Sequence, residues 1–109
     1  METFGETLAD LRRRAQVSQK RLAPQLGVTY PYLSKLESDQ ARPSRELVTR
    51  VATYFDYSED RLLLAADRVP DDVLQILKDR PDDAVALLRQ WVADDRSTGA
   101  SSTSGRTTD

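Results

Sequence analysis

The run QKRLAPQLGVTYPYLSKLES, residues 19–38, constrains the fold more than any other part of the chain. Leu22, Ala23 and Leu26 recur at the spacing of one helical face, and so do Leu33 and Leu36. Gly27 lies between the two sets and can take the left-handed backbone that ends a helix. Two helices this short hide little surface alone, so they must pack on each other at a steep angle. The outer face of the second is then left bare.

The flanking sequence completes a bundle around this pair. Phe4, Leu8, Leu11 and Ala15 form one apolar stripe and predict a first helix over residues 3–15. Val17 follows, and Ser18 caps the second helix, residues 19–26. The third helix ends near Glu37 and has two possible starts. Thr29 can cap it, since proline is tolerated in a first turn. Pro31 also disfavours helical geometry at Tyr30, which makes Tyr30 an alternative cap. After a polar loop at residues 38–43, Ser44 caps a fourth helix, 45–55, with Leu47, Val48, Val51, Ala52 and Phe55 inward. Ser58 caps a fifth, 59–66, whose acidic first turn suits the helix dipole. Pro24 stands inside the second helix, where an interior proline costs about 3 kcal/mol unless a kink or a late start relieves it.

Two more helical segments are expected at residues 70–77 and 81–93, each opened by a proline and acids. The second carries Ala84, Val85, Leu87, Leu88, Trp91 and Val92, too much apolar surface to leave in water. It packs back on the bundle or on a second subunit. Beyond Asp95 the chain reads RSTGASSTSGRTTD, without one large apolar residue, and disorder is expected there. The expected organisation is therefore a bundle over 1–67, a helical extension over 68–94 and a tail over 95–109.

Composition removes several kinds of chemistry. The chain has 109 residues and neither cysteine nor histidine. Disulfides, thiolate zinc sites and histidine-based triads are excluded, and neither a metal nor a cofactor is expected. The carboxylate pairs Asp71–Asp72 and Asp82–Asp83 sit at helix starts, where dipole effects explain them. Enzymatic activity is not expected. The opening METFGETLADLRRR holds no uncharged apolar run, so neither a signal peptide nor a membrane span is expected, and the cytoplasm is the expected compartment. Net charge is −2, but residues 1–50 carry nine bases against six acids, leaving −5 for the remainder. One half can face a polyanion while the other faces away.

With SQKRLAPQLGVTYPYLSKLES at its centre, the chain strongly resembles the phage-repressor (Cro/cI, XRE-type) helix-turn-helix family over about residues 4–66. The resemblance implies an all-α, five-helix, lambda-repressor-like DNA-binding bundle, here with one or two added C-terminal helices. It implies a transcriptional regulator, a repressor acting as a homodimer on double-stranded DNA. Carried over by position, Tyr30, Pro31, Tyr32, Ser34 and Lys35 become base-contact candidates in the major groove. For Tyr32, packing against a neighbouring helix is an equal alternative. Gln19, Thr29, Ser38 and Arg42 become candidates for the DNA backbone. Arg12 and Glu37 match a structural pair linking the first helix to the end of the third. Leu87, Leu88, Trp91 and Val92 are the expected dimerisation element. The competing reading is an antitoxin-like or adaptor protein whose acidic C-terminal half holds a partner protein. The regulator itself is expected in the cytoplasm, on the nucleoid when bound to DNA.

Overall fold

A computed structural model describes residues 2–97, and among these every regular element is a helix. The chain divides into two compact units, Met1–Pro70 and Asp71–Asp109. The first holds α1 (Phe4–Arg14), α2 (Gln19–Gln25), α3 (Tyr30–Glu37), α4 (Arg45–Phe55) and α5 (Glu59–Ala65). The second holds α6 (Asp71–Asp79) and α7 (Pro81–Ser97).

Each helix of the bundle starts and stops by the same local chemistry. Thr3, Ser18, Thr29, Ser44 and Ser58 sit in extended backbone, and each side-chain oxygen accepts from the amide three residues on. At Thr3 the cap is reciprocal, because the Glu6 carboxylate accepts from the Thr3 amide at 3.0 Å. The choice at α3 falls on Thr29, with Tyr30 as the first helical residue. At the far ends, Gln16, Gly27, Asp39, Asp56 and Asp67 all have positive φ. After Gly27 the Val28 amide donates to the Ala23 carbonyl at 3.0 Å, and the Gly27 amide to Pro24 at 3.1 Å.

These ends aim five apolar faces at one core. Leu8, Leu22, Leu26, Leu33, Leu36, Val48, Val51 and Leu62 are fully enclosed. Ala23, also buried, lets α2 and α3 cross closely, and Val28 packs partly beneath the turn. Two positions differ from expectation. Ala15 is exposed, because α1 ends at Arg14 and Ala15 is its cap; Ala9 is buried in α1 instead. Pro24 neither breaks α2 nor delays its start. It stands on the exposed side one residue before the end, and Lys20, whose carbonyl would otherwise receive the missing amide, is exposed as well.

The first unit extends past residue 67 because three arginines tie its exit to the loop before α4 and to the first residue of α4. Arg68 donates to the Pro43 carbonyl from Nε and Nη2 at 3.2 and 3.0 Å. Arg45 donates to Val69 at 3.1 Å and Arg42 to Asp67 at 3.3 Å. In the second unit α6 and α7 pack as a helical hairpin. Leu74, Leu77, Ala84 and Val85 are half-buried, and no residue of α6 is buried outright. Val73, Ile76, Leu87, Leu88, Trp91 and Val92 are exposed. Helix α7 runs to Ser97, so residues 95–97 are helical where disorder was expected. Residues 98–109 of the expected tail lie outside the described residues.

Candidate nucleic-acid interface

Helix α3 has two chemically distinct faces. Leu33 and Leu36 point inward and expose no surface. Tyr30, Pro31, Tyr32, Ser34 and Lys35 are all exposed, so the five candidate base contacts share the outer side. Tyr30 is 44 % exposed and Tyr32 36 %. The Tyr32 hydroxyl reaches the Arg42 carbonyl at a long 3.5 Å, so the side chain leans along α3 toward the following loop. The leading turn of α3 has few open donors. Pro31 has no amide hydrogen, and the Tyr32 amide is capped by Thr29 Oγ1 at 3.3 Å. The Tyr30 amide, at the first position of α3, has no acceptor within its own helix.

The rear of α3 is clamped to α1 at two points. Arg12 Nε donates to Glu37 Oε2 at 2.6 Å and Arg12 Nη2 to Glu37 Oε1 at 3.0 Å. Their side chains are only 15 % and 6 % exposed. Arg12 Nη1 also donates to the Val17 carbonyl at 3.1 Å. The hydrogen bond to Glu37 holds the Arg12 guanidinium pKa above its ordinary value, against an opposing effect of burial. The expected pair is thus a two-pronged ion pair. It has a third member, because Gln19 Nε2 donates to Glu37 Oε1 at 2.9 Å. Gln19, expected at a phosphate, is held here by Glu37.

The second clamp was not visible in the sequence. Asp39 follows α3 with φ of 62° and turns its carboxylate onto the start of α1. It accepts from the Gly5 amide at 2.9 Å and the Thr3 hydroxyl at 2.6 Å, an anion at a helix N-terminus. Gly5 permits this approach. A Cβ there would lie 2.5 Å from the Leu36 carbonyl oxygen and 2.6 Å from that of Glu37. Arg50 is likewise a finding of the structure. Its Nη1 donates to the Leu26 carbonyl at 2.8 Å and closes the end of α2 beside Gly27, whose φ is 72°.

The remaining backbone-contact candidates differ in what they have free. Ser38 Oγ donates to the Ser34 and Lys35 carbonyls at 3.1 and 3.2 Å, so its hydrogen already serves the end of α3. Arg42 is exposed at the edge of the interface, with Nη2 on the Asp67 carbonyl. Lys20 stands at the leading end of α3, with Nζ 5.7 Å from the centroid of the Tyr30 ring.

The family described as helix-turn-helix domain matches residues 3–65, which span the whole bundle and both clamps. The chain belongs to the XRE-like helix-turn-helix family. That membership makes DNA-binding transcription regulation its class of function. The crystal structure of the clp gene regulator ClgR from Corynebacterium glutamicum is similar in fold. It is 24 % identical, with a TM-score of 0.53 over 84 % of this chain and 90 % of that one. No curated protein matches the sequence. Among the described residues no acidic cluster could hold a metal ion, and no helix is long and apolar enough to cross a membrane.

Proposed function

We propose that this helix-turn-helix protein is a sequence-specific repressor that acts as a homodimer, with α3 of each copy in the major groove. The observation that carries the reading is the two-faced α3, with Leu33 and Leu36 enclosed and Tyr30, Pro31, Tyr32, Ser34 and Lys35 exposed. Lys35 donates to guanine O6 and N7, and Pro31 offers apolar contact to a thymine methyl. Tyr30, Tyr32 and Ser34 supply hydroxyls and ring edges. Gln19, Thr29, Ser38 and Arg42 contact phosphates, which set register without reading sequence. Ser38 and Gln19 exchange an internal partner for the phosphate when they do so.

A single module makes few contacts. Two copies place their recognition helices about 34 Å apart, one helical turn of DNA. Leu87, Leu88, Trp91 and Val92, exposed on α7, form the dimer contact in this reading. No catalytic residue, metal or cofactor takes part, and the protein works in the cytoplasm, on the nucleoid when bound. The same exposed side chains also suit a protein partner, the reading favoured if the purified chain is monomeric. Anisotropy titrations of labelled duplexes over a salt series test DNA binding. Affinity should fall linearly on logarithmic axes, with a slope of about −0.9 per phosphate neutralised. Absence of binding to any duplex at low ionic strength removes the proposal.

A further inference from the structure

The contact between Lys20 and Tyr30 joins the supporting helix to the leading edge of the reading helix. Lys20 Nζ lies 5.7 Å from the Tyr30 ring centroid, within the range at which a cation is drawn to an aromatic face. Both side chains are exposed, yet both helices beneath them are fixed. Ser18 caps α2 and Leu22 and Ala23 bury it; Thr29 caps α3 and Leu33 buries it. The positions of the two Cα atoms are therefore set by the core. A lone tyrosine at an exposed helix start would sample several rotamers. A cation held over one face of the ring favours a single orientation of an exposed side chain.

We propose that Lys20 is a positioning residue for sequence reading: it orients the Tyr30 ring, and so sets the preference at the base pair that Tyr30 meets. The inference rests on α3 being the DNA-reading helix. It makes base preference at one position of each half-site depend on a residue of α2. A lysine that only touched phosphate would add affinity to every sequence alike.

The test is a complete single-base substitution profile of a selected site, at fixed salt, for the wild type, Lys20→Ala, Lys20→Arg, Tyr30→Ala and the double variant Lys20→Ala/Tyr30→Ala. Salt slopes and thermal unfolding are measured for each. Lys20→Ala should flatten preference by about two- to fivefold at one base pair, the same one that Tyr30→Ala flattens, and leave the others unchanged. Lys20→Arg should keep the preference, since guanidinium also sits over aromatic faces. The double alanine variant should flatten that position no further than Tyr30→Ala alone. Lys20→Ala with an unchanged profile, whether at full affinity or with uniformly weaker binding and a salt slope shallower by about one, overturns the inference and leaves the DNA reading intact. A wild-type protein that selects no sequence overturns the DNA reading, and this inference with it.

Discussion

Lys35 and Glu37 sit two residues apart on α3 and do opposite jobs. Lys35 is exposed and available, whereas Glu37 is enclosed and carries the bonds from Arg12 and Gln19. Lys35→Ala should cost about 1–3 kcal/mol on the cognate site and relax base preference there. Equal losses on cognate and random duplexes would contradict a base-reading role. Arg12→Ala should destabilise the fold by about 2–3 kcal/mol in denaturant melts, because it strips a carboxylate that is only 6 % exposed of its charged partner. A change below about 0.5 kcal/mol would mean that Glu37 finds water instead. Gly5→Ala should cost about 3 kcal/mol, as its methyl group meets backbone oxygens that cannot retreat without moving α3. Of these residues, Arg12 and Glu37 were legible from spacing and complementary charge within a resemblance. Gly5 and Asp39 were not. Their contact joins residues 34 apart in sequence, and nothing local to either one signals the other.

At the scale of the element, starts were more legible than stops. Serine and threonine caps announce themselves, since their side-chain oxygen replaces a missing backbone acceptor. The stops share one backbone solution, but only Gly27 uses the residue type that advertises it. At Asp39, Asp56 and Asp67 a short polar side chain accepts the left-handed conformation, and aspartate is as common in loops as in helix starts. Helix lengths in the second unit were under-read for a related reason. No glycine stands at the end of α7 before Gly99, and the run from Asp94 to Ser97 is polar, so periodicity fades before the helix does. Pro24 shows the converse, a strong breaker made tolerable by its place next to the end of α2. Gly27→Ala should destabilise the bundle by about 1–2 kcal/mol, since a Cβ at φ of 72° is strained and would stand 3.1 Å from Arg50 Nη1. Thermal melts that matched the wild type would show that the turn can relax.

The whole molecule is a bundle whose core holds one helix at a fixed attitude, followed by a hairpin rich in exposed apolar side chains. Charge changes sign along the chain, from a net +3 over residues 1–50 to −5 over the remainder. The fold class and the outward face of α3 were readable because both follow from periodicity, which acts over a few residues. What the hairpin meets was not readable, because an apolar face specifies burial without naming the surface that provides it. Trp91, 62 % exposed on α7, gives the sharpest probe of that question. Trp91→Ala should shift self-association to higher concentration in light scattering. A wild-type mass that stayed monomeric at all dilutions would remove the homodimer. Selection of bound sequences from a pool of random duplexes, at one stated salt concentration, bears most directly on α3 as a reader of DNA. Convergence on a two-fold symmetric site, with half-sites about 10 base pairs apart and preference weakened by Lys35→Ala, is the expected result. A pool that stays random after repeated rounds, or one whose enrichment ignores every substitution on the outer face of α3, would contradict it.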